Sequence, residues 1–454
     1  MSQTIAAVST PLASGGIGVI RISGDDAITV ADKAFRVTSG KKLSSLKGYT
    51  AAHGRVHIDG EDIDECVALV FRAPKSYTGE DTVEISCHGG MYVTNRVLSA
   101  VLSSGAVPAG PGEFTKRAFL NGKMDLSEAE AVMSLIGAQG EQGARAAMTA
   151  LDGALSRKMR ELCHSLVSVS AHMAAWVDYP DEDIPEISTE NLRATLCEVK
   201  SELIKLLSKF EAGKAITAGV DCAIVGKPNV GKSALMNMLS GYSRSIVTDI
   251  AGTTRDIVEE TVRIGSVVLR LSDTAGIRES SDVVESIGVD RAKTKIERAD
   301  LVLAVFDGSV PLDESDKEIL SLCKGREVIP IINKTDKALE IDAEYIESVL
   351  GEAVFISAKT GDGEAQLTKA VEALLGTDKI DTSKAMLTTQ RQRLSAQSAL
   401  ECVEQAIEGI DIGITMDAVN VCVDRAVDFL LELTGERANE AVVNEVFAQF
   451  CVGK

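Results

Sequence analysis

The spacing of apolar and polar positions changes three times along the chain. Over roughly the first 120 residues, short apolar runs alternate with Gly/Ser turns. Thr4–Val8, Gly18–Ile22, Cys66–Phe71 and Thr82–Cys87 read as strands with short helical patterns between them, which predicts an α+β module. From Ser127 the period lengthens. Ser127 and Glu130 have capping-box spacing. Leu155, Met159, Leu162, Leu166 and Val169 recur at intervals of three or four, as do Leu192, Leu196, Val199, Leu203 and Leu206, the stripes of long amphipathic helices. The acidic, proline-containing stretch Asp178-Tyr179-Pro180-Asp181-Glu182-Asp183 interrupts them. An α/β pattern then runs from about Val220 to Leu375, after which helical spacing returns in Leu400, Val403, Ile407 and Ile410. It returns again in Val419, Val423, Ala426, Leu430 and Leu433, with Gly435 as the C′ residue. Helical texture on both sides of a self-contained α/β segment predicts a domain insertion, which is tolerated where termini lie close together. The predicted architecture is multidomain α/β. It has an α+β domain over residues 1–120, an all-α helical bundle assembled from 121–217 and 378–454, and a P-loop domain at 218–377 inserted between the halves.

A length of 454 residues suits about three domains, each with its own core. The balance of 47 basic against 67 acidic residues, a net charge of −20, opposes nonspecific adhesion to nucleic acid or anionic membrane. Any RNA contact therefore needs a local basic patch, for which Arg157, Lys158, Arg160, Lys200, Lys205, Lys209 and Lys214 on the helices are candidates. Nine scattered cysteines without a C-x-x-C suit a reducing cytosol and neither a disulfide framework nor a zinc site. The start lacks a charged segment followed by an apolar core, and no run of 18 or more apolar residues occurs, so a soluble cytoplasmic protein with no membrane association is expected.

The chemistry concentrates between Gly226 and Lys359. Gly226-Lys227-Pro228-Asn229-Val230-Gly231-Lys232-Ser233 fits G-x-x-x-x-G-K-[ST] and follows the apolar run Cys222–Val225. Its backbone N–H groups and the following helix N-terminus face phosphates. Lys232 reaches the β/γ-phosphates, and Ser233 holds Mg²⁺. Asp273-Thr274-Ala275-Gly276 closes a second β-rich run, Ser266–Ser272, where a carboxylate serves the Mg²⁺ shell and the Gly276 amide senses the γ-phosphate. Asn333-Lys334-Thr335-Asp336 ends the apolar run Val328–Ile332. Asp336 offers two acceptor oxygens to the N1–H and amino group of guanine, a donor pair adenine lacks, so GTP and not ATP is the expected nucleotide. Ser357-Ala358-Lys359, after the run Ala353–Ile356, completes the base pocket with a backbone amide.

The hydrolytic residues are less sharply marked. Many switch GTPases carry a water-orienting Gln just after D-x-x-G; here that place is Ile277, which cannot hydrogen-bond water. Arg278, Glu279, Asp282 and Glu285 in the polar segment that follows are the candidates. In Thr248-Asp249-Ile250-Ala251-Gly252-Thr253-Thr254-Arg255-Asp256, either Thr254 or Thr253 can bring a hydroxyl to Mg²⁺. Arg255 reads equally as an arginine finger or as a salt-bridged surface residue. Asn229 adds a neutral oxygen near the α- and β-phosphates, which with loop carbonyls can ligate a monovalent cation.

Gly252-Thr253-Thr254-Arg255-Asp256, the Asn229-bearing loop, Asp273–Gly276 followed by Glu285, and the terminal Cys451-Val452-Gly453-Lys454 together resemble the MnmE/TrmE family of tRNA-modification GTPases. Arg21-Ile22-Ser23-Gly24, Tyr77-Thr78-Gly79-Glu80-Asp81, His88-Gly89-Gly90, Pro111-Gly112-Glu113-Phe114 and Arg117–Lys123 extend the likeness over the whole chain. The resemblance implies a folate-binding-like, dimerising N-terminal domain, a central helical bundle and an inserted Ras-like GTPase domain. It implies nucleotide contacts from Asn229, Val230, Gly231, Lys232, Ser233 and Ala234, from Thr248, Asp249, Ile250, Ala251, Gly252, Thr253 and Thr254, and from Asp273, Thr274, Ala275 and Gly276. Asn333, Lys334, Asp336, Ser357, Ala358 and Lys359 complete that set. Ser233 and Thr254 match the Mg²⁺ ligands; Asn229, Thr248, Ile250 and Thr253 match a K⁺ site, which lowers the arginine-finger reading of Arg255; and Glu285 matches the residue that sets the attacking water. Arg21, Glu84, Lys123 and Lys454 match positions that hold 5-formyl- or 5,10-methylene-tetrahydrofolate, whose carboxylates suit Arg and Lys and whose pterin N–H groups suit Glu84. Cys451 lies where the family's terminal cysteine approaches the one-carbon donor; a nucleophilic thiolate and a packing role both fit it. The implied reaction is addition of an aminomethyl or carboxymethylaminomethyl group at carbon 5 of the wobble uridine of certain tRNAs, with an FAD-containing MnmG partner. The competing expectation is a regulatory or ribosome-assembly GTPase whose flanking domains only bind RNA or protein.

Overall fold

The computed structural model describes residues 3–178, 189–241, 260–271, 293–294 and 296–454. They form two compact units, one gathering the residues up to Met133 with Asp428–Lys454, the other the residues between Ser134 and Val427.

In the first unit, β1 (Ile5–Val8), β2 (Ile17–Ser23), β3 (Phe35–Val37), β4 (Thr50–Ile58), β5 (Glu61–Phe71), β6 (Thr82–His88) and β7 (Val107–Pro108) form one sheet in the order β3-β4-β5-β6-β2-β1-β7. Every neighbour is antiparallel except β1 and β7. Two helices, α1 (Ala27–Ala34) and α2 (Met91–Ser103), cover one face. Ile20, Ile22, Val56, Ala68, Val70, Val83 and Ile85 from the strands are buried there against Ala27, Ala31, Val97 and Val101. β4 escapes a pattern search for a physical reason: its inward residues Ala52, Gly54 and Val56 are small. A Cβ on Gly54 would lie 2.4 Å from the Arg36 carbonyl oxygen, so the close approach of β3 erases the apolar signal of the strand beside it. On the other face Val19, Arg21, Glu84 and Ser86 are half-buried, and Ile17, Val67 and His88 are exposed. The unit continues into α3 (Glu113–Leu120) and α4 (Leu126–Gly137). Leu126 and Ala129 pack on Val443 and Phe447 of the C-terminal helix Glu440–Ala448 and on Phe450.

The capping box of α4 corrects the sequence expectation. The Asp125 carboxylate accepts the Glu128 N–H at 3.0 Å, and the Glu128 carboxylate accepts the Asp125 N–H at 2.9 Å. Ser127 lies inside the helix and donates to Asp125 at 2.7 Å. Two overlapping three-residue spacings are available, and the helix starts at Leu126, which makes Asp125 and not Ser127 the cap.

In the second unit, α5 (Glu141–Leu151), α6 (Ala154–Asp178), α7 (Thr189–Leu207) and α8 (Phe210–Ala218) precede a six-stranded sheet. The predicted stripes of α6 and α7 are buried at every position, as are those of α13 (Gln390–Ile412) and α14 (Met416–Thr434), which follow the sheet, residues 428–434 of α14 belonging to the first unit. Thus α7 and α13, far apart in sequence, lie side by side, with Arg193–Asp411 (2.8 Å) and Lys200–Glu404 (2.9 Å) bridging them.

The sheet is built from β8 (Val220–Val225), β9 (Glu260–Ile264), β10 (Val267–Leu271), β11 (Leu301–Asp307), β12 (Val328–Asn333) and β13 (Val354–Phe355), in the order β13-β12-β11-β8-β10-β9. All neighbours are parallel except the β9–β10 hairpin. α9 (Lys232–Gly241) and α12 (Glu364–Leu374) cover one face; α10 (Glu314–Cys323) and α11 (Ala343–Leu350) cover the other. Residues 222–225 of β8, 301–306 of β11 and 328–332 of β12 therefore read as unbroken apolar runs, as strands buried on both faces must. Their carboxyl ends carry the phosphate loop, Asp307 and Asn333, the edge where open parallel sheets place their ligands.

Candidate functional site

The phosphate loop leaves β8 at Gly226, whose φ is +153° and whose Cβ would fall 2.4 Å from the Val305 carbonyl oxygen. It enters α9 at Lys232. Lys232 Nζ donates to the carbonyls of Gly226 (2.7 Å) and Lys227 (2.6 Å). Asn229 has φ +64° and is exposed, as is Ser233. Three loops distant in sequence are joined by one side chain: Asn333 Nδ2 donates to the Val230 carbonyl at 2.8 Å, and the Ala358 N–H donates to Asn333 Oδ1 at 2.9 Å. Asn333 is buried. Ser357 Oγ donates to Asp336 Oδ1 at 2.9 Å, and Lys334, at φ +68°, pairs with Asp307. Gly231, Ala234, Asn333, Lys334, Asp336, Lys337, Ala358 and Lys359 line a cavity of about 290 Å³. The structure thus brings together Val230, Gly231, Lys232, Ala234, Asn333, Lys334, Asp336, Ser357, Ala358 and Lys359. Asp307 and Lys337 are additions that no motif marked. Thr248–Thr254, Asp273–Gly276 and Glu285 lie outside the described residues. Of the oxygen donors expected for metals, Ser233 and Asn229 are described; both are exposed, neutral and hard, and fit Mg²⁺ and an alkali ion respectively.

A second constellation lies in the first unit. Arg21 on β2 stands directly opposite Glu84 on β6, and its Nε donates to Glu84 Oε1 at 2.8 Å. The guanidinium carbon lies 5.2 Å from the Tyr77 ring centroid and 5.5 Å from that of Phe114. Although the Arg21 side chain is only 13% exposed, its Nη1 has no hydrogen-bond partner among the described residues, an orphaned donor suited to an anionic or carbonyl group of a ligand. The C-terminal tetrapeptide is threaded along the same place. The Gly112 N–H donates to the Cys451 carbonyl (3.3 Å), Val452 bridges Pro111, Ser9 Oγ donates to the Gly453 carbonyl (3.1 Å) and the Phe114 N–H to Lys454 O (3.2 Å). Gly453 has φ +97°, and a Cβ there would lie 2.2 Å from the Val8 carbonyl oxygen. Burial, and then repulsion from Arg21, press the Lys454 ammonium below its ordinary value against a smaller opposing pull from Glu84. Both cation heads therefore share one partly desolvated place. Lys123 is not in this cluster: it follows the far end of α3, is exposed, and donates to the Pro74 carbonyl at 3.1 Å. Cys451 is exposed, with its carbonyl committed to Gly112. Tyr77 and Phe114 belong to sequence motifs whose roles only the ring stacking reveals.

The helical lysines are less available to RNA than their spacing suggests. Lys158 pairs with Glu202 at 2.8 Å, Lys205 with the same carboxylate at 2.7 Å and Lys200 with Glu404 at 2.9 Å. No described helix is long and apolar enough to cross a membrane.

Residues 4–123 match the family model described as the GTP-binding protein TrmE N-terminus, and residues 126–451 match the MnmE helical domain. A protein of Acetivibrio thermocellus named tRNA modification GTPase MnmE is 42% identical over 457 residues, covering 100% of this chain and 99% of that protein. A Geobacillus kaustophilus protein of the same name is 42% identical over 459 residues, with 100% and 99% covered. The FeoB G-domain of Methanococcus jannaschii is 25% identical over 35% of this chain and 97% of that one, at a TM-score of 0.26, too low to bear on the fold. With two family models spanning its length and full-length relatives at this identity, the chain belongs to the MnmE/TrmE family of tRNA modification GTPases.

Proposed function

We propose that this GTPase is potassium-stimulated, acts as a homodimer in the cytoplasm, and works with an FAD-containing MnmG partner. Together they add an aminomethyl or carboxymethylaminomethyl group at carbon 5 of the wobble uridine of certain tRNAs, drawing the one-carbon unit from 5-formyl- or 5,10-methylene-tetrahydrofolate. The observation that carries this reading is the Arg21–Glu84–Lys454 cluster with its orphaned Nη1, in the same chain as a nucleotide site. A ribosome-assembly GTPase with merely adhesive flanks has no use for a buried, under-satisfied guanidinium.

In the nucleotide site Asp336 accepts the guanine N1–H and amino protons, and Asn333 holds the base loop to the phosphate loop. Lys232 leaves its two carbonyls for the β/γ-phosphates. Ser233 and Thr254 would hold Mg²⁺; Asn229, Thr248, Ile250 and Thr253 would hold K⁺; and Glu285 would set the attacking water. When bound, the two cations neutralise charge developing on the phosphates, so that Arg255 is not required for it. Hydrolysis drives rearrangement and not the carbon chemistry. The half-open sheet face bearing Ile17, Val19 and Val67 supports the homodimer.

Titration with 5-formyl-tetrahydrofolate tests the folate reading. Saturable binding that Arg21→Ala abolishes is expected, and no binding by the wild type sinks it in favour of the regulatory GTPase. Replacement of K⁺ by Na⁺ should lower the GTPase rate, with Asn229→Ala erasing the difference; equal rates in the two salts refute the cation site.

A further inference from the structure

Lys227, the first residue of the phosphate loop after Gly226, reaches to the start of α10. Its Nζ lies 2.7 Å from Asp313 Oδ2 and 2.6 Å from Asp316 Oδ2. These two carboxylates are also the capping box of α10: Asp313 Oδ1 accepts the Asp316 N–H at 3.1 Å, and Asp316 Oδ2 accepts the Asp313 N–H at 3.2 Å. We propose that this capping box, through Lys227, is a clamp that fixes the geometry of the phosphate loop, making Lys227, Asp313 and Asp316 positioning residues for nucleotide binding and hydrolysis.

A helix start alone does not explain the arrangement. The Asp316 side chain is 3% exposed, and its Oδ1 is buried without a hydrogen-bond partner. A carboxylate so placed is tolerable only against a cation, and among the described residues Lys227 is the cation it meets. Lys227 Nζ donates to both carboxylates, so one ammonium serves both members of the helix cap. Its backbone meanwhile has a functional task, since the Lys227 carbonyl is one of the two oxygens on which Lys232 Nζ rests. Pro228 restricts the next φ, and Asn229 follows at +64°. One end of the loop is tied to β8 and the other to Asn333, and the clamp secures the stretch between them.

Charge distinguishes this role from phosphate attraction. Lys227 with two aspartates carries a net charge of −1, so the trio does not draw phosphate in. If Lys227 served by its charge, neutralising it would weaken GDP binding, whereas removing an aspartate would release the lysine and tighten it. A clamp predicts weakening in both cases.

The test uses the full chain, a fluorescent GDP analogue for Kd and phosphate release for kcat. Lys227→Met should raise Kd about tenfold and lower kcat, because displacement of a binding loop by a fraction of an ångström is costly. Asp313→Ser, which keeps an oxygen for the helix cap and alters an exposed position, should raise Kd about threefold without loss of folding. Lys227→Arg, which can pair with both carboxylates, should stay within about twofold of wild type. Tighter GDP binding by Asp313→Ser overturns the proposal. So does a change confined to the melting temperature, with Kd and kcat of Lys227→Met at wild-type values.

Discussion

Single residues settle the close approaches on which both sites depend. At Gly231, φ is +102° and a Cβ would lie 2.1 Å from Asn333 Nδ2. Gly231→Ala therefore both strains the backbone and pushes away the side chain that joins three loops. Nucleotide affinity is expected to fall at least about tenfold, as seen by titration with fluorescent GDP, since a displaced binding loop is costly. Gly453 is the counterpart in the first unit. Gly453→Ala sets a methyl against the Val8 carbonyl and should lift Lys454 from its seat, abolishing the proposed folate binding while leaving the GTPase rate at its wild-type value. The motif G-x-x-x-x-G-K-[ST] marked Gly231 in the sequence. Nothing local marked Asp307 or the Tyr77 and Phe114 rings as neighbours of the site residues, because they are brought in by β11, the loop between β5 and β6, and α3 respectively.

At the scale of elements, the helices were legible because their apolar stripes are long. All ten stripe positions of α6 and α7 are buried. Leu166→Ala on α6 should cost about 2–5 kcal/mol in the stability of the helical part, measured by urea unfolding, because the cavity left is enclosed. These helices are also braced across their exposed edge by Lys158, Glu202 and Lys205. Hydrogen bonds from Lys158 and then Lys205 pull the Glu202 carboxyl down from 4.5 to about 2. A depressed carboxyl stabilises the fold above its unfolded value and loses that contribution as pH falls toward its folded one. The melting temperature of Glu202→Gln should therefore lie a degree or so, roughly, below wild type near neutral pH, small because the pair is exposed. The gap should close on acidification from 4.5 toward 2, and a gap independent of pH would refute the brace. Cap position was less legible. Asp125/Glu128 and Ser127/Glu130 have the same spacing, and only the observed helix start at Leu126 distinguishes them.

For the whole molecule, the two constellations belong to different compact units. Arg21→Ala should leave GDP affinity unchanged, and Asn333→Ala should leave the proposed folate binding unchanged, as expected for sites without shared partners. Loss of both activities in either variant would show that the units unfold together. What the sequence determined by itself is what short range can encode: helical period, buried parallel strands, and the G-x-x-x-x-G-K-[ST] and N-K-x-D motifs, each fixed by residues within one turn or one loop. Only the tertiary structure decided that Asn333 ties loops more than one hundred residues apart. The same holds for Arg21 lying between Tyr77 and Phe114 with the C-terminal tetrapeptide beside it, and for a helix cap that holds a phosphate-loop lysine. Those contacts depend on strand order and register, set by the burial of whole faces at once, and no local spacing records which strand becomes whose neighbour.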